Sequence, residues 1–288
     1  MKPKDVARAL WESARTQDPP QRVSELAAKL LLEEGGVSRL EAWEEAERIE
    51  PRVIKWLARR TDEAIARREP PKLVENSSSS VHFQGYLFSE PCDPPEVRDL
   101  KVRRAQSAAL RAWLASLHYE DFERLSAKIL SLLGARDYTQ TRRSKDQGID
   151  FYGKLVLADL DAAQLPFLRF QHDFQIWIMG QAKHYPAGVV SAPEIRELVG
   201  AVLLAHAKAF GTKELLYQDL TGRLADPLVV LFLTTGSYTR DARVLGEAAG
   251  VILKTGQDIA DFLADKEIGF DSVDQSFRVE LAARWLQS

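Results

Sequence analysis

Apolar residues in the first 70 positions recur with the spacing of amphipathic helices. One stripe, formed by Val23, Leu26 and Leu30, repeats close to every 3.6 residues. Several short helices in succession predict a mainly helical N-terminal region over residues 1–110. Such a region suits a helix-turn-helix module. It equally suits a helical extension that packs on the main domain or on a partner subunit.

Between residues 70 and 117 the pattern changes twice. Two prolines and a serine run mark a break, and the alternation over residues 81–88 predicts a strand or one arm of a hairpin. Apolar positions at helical spacing then predict a helix over residues 96–117.

From about residue 116 helical and extended patterns alternate. The helical face that begins at Phe122 stops at Gly134, and the runs 175–183 and 228–234 are apolar enough to predict buried strands. This alternation predicts an α/β fold over residues 111–288, with a mixed β-sheet core flanked by helices. Further strands are predicted at 138–142, 148–157 and 251–253, and further helices through 195–203, 239–250, 259–263 and 276–286.

The composition is that of a globular protein, because 45% of the 288 residues are hydrophobic. The formal net charge is -3, whereas a protein that coats DNA non-specifically is usually basic, so any contact with nucleic acid is expected to be local. The single cysteine, Cys92, excludes an intrachain disulfide and a cysteine-based zinc site. No apolar run is long enough to span a bilayer and the charged first residues do not resemble a signal peptide, so a cytoplasmic protein without membrane partners is expected.

The most informative residues lie at the end of the apolar run 175–183. Gln181 and Lys183 are two residues apart, so on a strand their side chains point to the same face. With Asp150 at the mouth of the neighbouring strand, they bring together a carboxylate, an amide oxygen and a cation, and the Ala182 carbonyl can add another oxygen. This set suits metal-assisted hydrolysis of a phosphodiester. The alternatives are that Asp150 is an ordinary turn residue and that Lys183 extends into water.

Five short segments occur in a fixed order between residues 116 and 263. They are Phe122-Glu123 in the helix that ends at Gly134, Gly148-Ile149-Asp150, Gln181-Ala182-Lys183-His184-Tyr185, Ile195-Arg196-Glu197-Leu198-Val199-Gly200-Ala201, and Leu233-Thr234-Thr235-Gly236-Ser237-Tyr238-Thr239. None is specific alone. Together they resemble the Mrr-like branch of the PD-(D/E)XK restriction endonuclease superfamily, which implies a restriction-endonuclease-like fold.

The resemblance also implies roles for individual residues. Asp150 corresponds to the metal-binding aspartate, Gln181 to the second acidic position, where glutamine is typical of this branch, and Lys183 to the catalytic lysine. Glu123 matches a glutamate that often joins the metal shell, although a surface charge on its helix is an equal alternative. The implied cofactor is Mg²⁺, with Mn²⁺ as a substitute.

Other segments carry weaker signals for DNA contact. Arg142, Arg143 and Lys145 form a basic turn that suits contact with DNA phosphates, with a solvated turn as the alternative, and His184 is a further weak candidate. The stretch 159–173 is longer than the usual short hairpin and predicts an insertion that extends the hairpin, contacts DNA or forms a subunit interface. The turn 234–237 suits phosphate contact, but capping of the next helix is favoured there.

Taken together, these features predict a magnesium-dependent endodeoxyribonuclease of the type IV or type II restriction kind, with a role in defence against foreign DNA. Since cutting both strands takes two active sites, a homo-oligomer is expected. The N-terminal region is expected to serve recognition, regulation, oligomerisation or a protein partner. The alternatives are a nuclease subunit that is active only within a larger defence or repair complex, and a nucleic-acid-binding module that does not cleave.

Overall fold

The computed structural model describes residues 1–67, 69–141, 148–156, 175–206 and 226–288. Within these ranges the chain forms two compact units, Met1–Ala105 and Gln106–Ser288, called unit 1 and unit 2 below. None of the helices in these ranges has the length and apolar character needed to cross a membrane.

Unit 1 packs helices around a small antiparallel sheet with strand order β1-β3-β2. Its core is formed by apolar residues of the first three helices together with Leu73 and Phe83 from the sheet. The mainly helical prediction is therefore confirmed, but the sequence pattern missed the strand at Gln21–Arg22. The elements are α1 (Pro3–Ser13), β1 (Gln21–Arg22), α2 (Val23–Gly35), α3 (Arg39–Ala66), β2 (Leu73–Asn76), β3 (Ser79–Gly85) and α4 (Pro95–Arg104).

A buried carboxylate joins three elements of unit 1. Glu50 on α3 accepts hydrogen bonds from the Arg22 guanidinium, at 3.2 and 3.1 Å, and from the Ser24 amide at 2.9 Å. Desolvation acts to raise the pKa of Glu50, but the bonds from Arg22 and Ser24 outweigh it and lower the pKa. The carboxylate thus fixes β1 and the first turn of α2, where an amide has no partner within the helix, against α3.

Unit 2 is built on a five-stranded mixed sheet of order β10-β8-β6-β5-β4. Strands β10, β8 and β6 are parallel, whereas β5 and β4 are antiparallel to their neighbours. This architecture confirms the predicted α/β fold. The elements are α5 (Ser107–Ser116), α6 (Tyr119–Leu132), β4 (Arg136–Gln140), β5 (Phe151–Val156), β6 (Gln175–Lys183), β7 (Val189–Val190), α7 (Ala192–His206), β8 (Leu228–Thr234), β9 (Ser237–Tyr238), α8 (Arg240–Ala249), β10 (Val251–Lys254), α9 (Gly256–Asp265) and α10 (Val279–Gln287).

Helices cover both faces of this sheet. On one face α5, α6, α9 and α10 pack against alternate strand residues such as Phe151, Ile178 and Ala182. On the other face α7 and α8 pack against Tyr152, Met179 and other residues of the opposite set. Because successive strand residues point to opposite faces, two buried faces explain why β6 and β8 are apolar almost throughout.

Several predicted boundaries agree with the structure, and one is wrong. The runs 175–183 and 228–234 are strands with the predicted limits, and the Thr239 hydroxyl caps α8 by accepting from the Ala242 amide. The helix predicted over 96–117 is two helices, α4 and α5, separated at Ala105 and Gln106.

Candidate active site

The candidate site lies at one edge of the unit 2 sheet, where three strands begin or end. Strand β5 begins directly after Asp150, and the antiparallel β6 ends at Lys183. Strand β8 runs parallel to β6 and ends at Thr234, which faces Lys183 in register. The topology therefore brings residues that are more than 80 positions apart in the chain to one edge.

Asp150 forms hydrogen bonds with β6, the strand that carries Gln181 and Lys183. Its amide donates to the Gly180 carbonyl at 2.9 Å, and its Oδ2 accepts from the Ala182 amide at 2.7 Å. The residue is 6% exposed. The carboxylate is therefore fixed beside the backbone of the residue that separates Gln181 from Lys183.

A glycine allows the chain to approach Asp150 in this way. Gly148 has φ of +90°, a conformation that glycine adopts without steric cost. A Cβ atom there would lie 3.4 Å from Cβ of Ala201 on α7 and 4.0 Å from Nε2 of Gln181. Gly148 thus lies close both to Ala201 on α7 and to the Gln181 side chain.

Gln181 provides a buried oxygen. It is 5% exposed, and its Oε1 atom has no hydrogen-bond partner among the described residues. Such an atom costs about 1–3 kcal/mol when it is left without a partner. Lys183, two residues further on, shares its face of the sheet and is half-buried at the strand end.

Glu123 approaches from the other face of the sheet. It lies on α6, which packs on the face that carries Phe151 and Ala182. Gln140 donates from Nε2 to Oε2 of Glu123 at 3.1 Å, and Gln140 faces Phe151 in register. Glu123 is therefore held by a glutamine that the sequence did not indicate, on the face of the sheet opposite to Gln181 and Lys183.

Of the residues predicted to contact DNA, the structure describes only His184. The His184 ring donates from Nε2 to the Leu114 carbonyl at 3.1 Å and lies 5.7 Å from the Phe122 ring, so it packs against α5 and α6. Contact of His184 with DNA stays a prediction. Arg142, Arg143 and Lys145, like the stretch 159–173, lie outside the described residues.

The residues at this edge fit a hard divalent cation. Magnesium prefers oxygen ligands, and the site offers the Asp150 carboxylate and the Oε1 atom of Gln181, for which the described part of the chain provides no hydrogen-bond partner. The amide and carbonyl of a strand residue point to the same side, so the Ala182 carbonyl also points towards β5. Across the described ranges no three histidine, cysteine, aspartate or glutamate side chains form a ready-made metal cluster.

Replacing Gln181 with leucine tests the buried oxygen. We expect cleavage activity to be lost because a ligand oxygen is removed. We also expect the free energy of unfolding to stay within about 1 kcal/mol of the parent value or to rise, because the leucine removes a buried acceptor that none of the described residues satisfies. Chemical denaturation and a plasmid cleavage assay measure the two effects.

Gln84 in unit 1 offers a matched control for this substitution. Its side chain is equally buried, but Oε1 accepts from Asn76 at 2.7 Å and Nε2 donates to Glu90 at 2.6 Å. Gln84→Leu is expected to destabilise unit 1 because it leaves both partners unpaired. A loss of stability in Gln181→Leu as large as in Gln84→Leu would contradict the assignment of Oε1 as a ligand atom.

Part of unit 2 is similar to a known protein family. Residues 114–211 match the family model Mrr_cat, described as a restriction endonuclease. The matched residues lie within unit 2 and include four of the five sequence segments. This match confirms the resemblance to Mrr-like restriction endonucleases that was drawn from those segments.

Two solved structures are also similar to the chain. One is the restriction endonuclease MspJI in complex with a 27-mer oligonucleotide, at 20% identity and a TM-score of 0.39, over 69% of this chain and 39% of that one. The other is the DNA modification-dependent restriction endonuclease AspBHI, at 20% identity and a TM-score of 0.37, over 68% of this chain and 40% of that one. The chain thus spans about two-fifths of the length of these enzymes. No curated protein matches it.

Proposed function

We propose that this protein is a magnesium-dependent endodeoxyribonuclease that acts in defence against foreign DNA. The observation that carries the proposal is the hydrogen bond from the Ala182 amide to the Asp150 carboxylate, because Ala182 is the residue between Gln181 and Lys183 on β6. The match of residues 114–211 to a restriction-endonuclease family supports DNA cleavage as the reaction.

In this proposal each residue has a distinct task. Asp150, the Oε1 atom of Gln181 and the Ala182 carbonyl hold the cation, and Glu123 joins them from α6. The bound cation supplies positive charge beside the scissile phosphate. Lys183 places its ammonium group next to the phosphate, where it orients the attacking water and stabilises the negative charge that develops.

A plasmid cleavage assay tests the proposal. The parent protein is expected to cut DNA with Mg²⁺ or Mn²⁺ and to stop when EDTA removes the metal. Linear product without accumulation of nicked circles indicates two active sites that act together, as in a homodimer. DNA that is bound but never cut under any of these metal conditions would instead identify a binding module and contradict the nuclease proposal.

The proposed ligand set leads to a further expectation for metal affinity. With Asp150 as the carboxylate fixed to β6, the free protein is expected to bind Mg²⁺ weakly, and DNA phosphate is expected to complete the ligand set. Calorimetry in Ca²⁺, with and without a DNA duplex, measures this after the plasmid assay has shown that Ca²⁺ does not support cleavage. Tight metal binding by the protein alone would contradict it.

Unit 1 is proposed to provide recognition, regulation or oligomerisation, including contact with a partner protein. Its charges balance, since residues 1–105 contain 19 lysine and arginine residues and 19 aspartate and glutamate residues. Any contact with DNA by this unit is therefore expected to be local and not a broad electrostatic attraction.

A further inference from the structure

Two threonines lie at the ends of β4 and β8, the strands on either side of the site. Thr141 comes directly after β4, and its hydroxyl donates to the Ile149 carbonyl at 2.7 Å. Thr234 is the last residue of β8, and its hydroxyl donates to the Lys183 carbonyl at 2.8 Å. The Thr141 hydroxyl thus holds the backbone next to Asp150, and the Thr234 hydroxyl holds the backbone of Lys183. Both residues have central tasks in the proposed reaction.

Thr141 fixes the backbone at Ile149 and Asp150. Its amide also donates to the Asp150 carbonyl at 2.9 Å, so Thr141 binds two consecutive backbone carbonyls. The register of Phe151 with Gly180 would set Ile149 opposite Ala182 if the pairing continued. Because the Ile149 carbonyl turns to Thr141, the Ala182 amide is left to the Asp150 carboxylate. The hydroxyl of Thr141 therefore supports the position of that carboxylate.

Thr234 fixes the end of β6. Its side chain is 0% exposed, and its oxygen also accepts from the Gly236 amide at 3.1 Å. The Thr235 amide adds a longer bond of 3.3 Å to the Lys183 carbonyl. The turn is tight, because a Cβ atom on Gly236 would come within 2.3 Å of the Gly188 carbonyl. The backbone of Lys183 is therefore held at the point where regular strand pairing stops.

We propose that Thr141 and Thr234 are positioning residues, the first for Asp150 and its metal, the second for Lys183. The proposal rests on the nuclease function proposed above. Active-site groups must be held within about 0.5 Å of the productive geometry, and a displacement of 1 Å can lower a rate about 100-fold. Since the two threonines act on different halves of the site, their loss has different kinetic consequences.

Valine variants separate the two roles, because valine keeps the shape of threonine and removes the hydroxyl. Thr141→Val is expected to raise the Mg²⁺ concentration for half-maximal cleavage about 10-fold, in the range for loss of a group that orients a ligand, with a rate near the parent's at saturating Mg²⁺. Thr234→Val is expected to lower the single-turnover cleavage rate about 10- to 100-fold at every Mg²⁺ concentration. Its half-maximal Mg²⁺ concentration is expected to stay unchanged.

Serine variants and a distant threonine complete the test. Thr141→Ser and Thr234→Ser keep the hydroxyl and are expected to restore the parent kinetics, including where a valine variant does not fold. Thr61→Val in unit 1 removes a hydroxyl that donates to the Leu73 carbonyl at 2.8 Å, so it controls for a loss of stability alone, and it is expected to leave both kinetic values unchanged.

The outcomes distinguish this inference from the function on which it rests. A parent protein that does not cleave contradicts the nuclease proposal itself. A parent that cleaves, with valine variants that match Thr61→Val or serine variants that fail to restore activity, overturns the positioning roles alone. Equal effects of Thr141→Val and Thr234→Val on Mg²⁺ dependence would also overturn the assignment of the two threonines to different halves of the site.

Discussion

Replacing Lys183 with methionine is expected to lower the rate of DNA cleavage by at least about 100-fold, the size of effect seen when one preorganised charge-stabilising group is removed. Methionine keeps an unbranched apolar stem at the half-buried end of β6 but removes the ammonium group. The fold is expected to be unchanged because the backbone of Lys183 is held by Thr234 and Thr235. Single-turnover cleavage at saturating protein and Mg²⁺ measures the rate.

DNA binding and a matched lysine show whether the loss is chemical. DNA affinity, measured in Ca²⁺, is expected to fall only by the contribution that one cationic contact with phosphate makes to binding. Lys154 on β5 pairs with Trp177 towards the other end of the same two strands, and Lys154→Met is expected to cleave like the parent. If Lys183→Met cleaves within a few-fold of the parent, or if Lys154→Met loses as much activity, Lys183 is not the catalytic lysine.

Asp150→Asn is expected to lower metal-dependent cleavage by more than about 100-fold, because loss of a residue that merely orients a ligand already costs about 10- to 100-fold. The asparagine oxygen can still accept from the Ala182 amide, so the bond that fixes this side chain to β6 is kept. What is removed is the negative charge that holds the cation. Cleavage over a range of Mg²⁺ and Mn²⁺ concentrations measures the effect.

Two further variants isolate the charge of Asp150 from its structural bond. Asp150→Ala leaves the buried Ala182 amide without this acceptor and is expected to lower the free energy of unfolding by about 1–3 kcal/mol relative to Asp150→Asn. Asp261 on α9 accepts from Ser107 at 2.5 Å and from Gln257 at 2.9 Å, so Asp261→Asn controls for the same chemical change away from the site. Parent-like cleavage by Asp150→Asn would refute the metal-binding role.

The sequence was informative about the sheet wherever burial left a continuous apolar run. Strands β6 and β8 have the predicted limits because both of their faces are covered by helices, so polar residues appear only at their ends. Strand β1 has two residues and exists because Gln21 pairs with Phe83, which is a long-range contact without a local pattern. The break between α4 and α5 was missed because helical spacing continues on both sides of Ala105 and Gln106.

The candidate site was predictable as a set of residues but not as a geometry. Alternation along β6 places Gln181 and Lys183 on one face, and this follows from their spacing alone. The irregular pairing at Asp150 does not follow from the spacing of residues in the sequence. It depends on the register of strands whose facing residues are about 30 positions apart. The hydrogen bonds of the Thr141 and Thr234 hydroxyls were also not predictable, because the sequence does not indicate which carbonyl a threonine at a strand end will bind.

The antiparallel pairing of β5 with β6 also sets the two ends that join these strands far from the candidate site. Asp150 precedes the first residue of β5 and Lys183 is the last residue of β6, whereas Val156 and Gln175 face each other at the opposite end of the pair. Six residues of strand span about 20 Å. Both described ends of the connection between these strands are therefore anchored about 20 Å from the reactive groups, so the pairing that holds Asp150 beside β6 is set by the strands themselves.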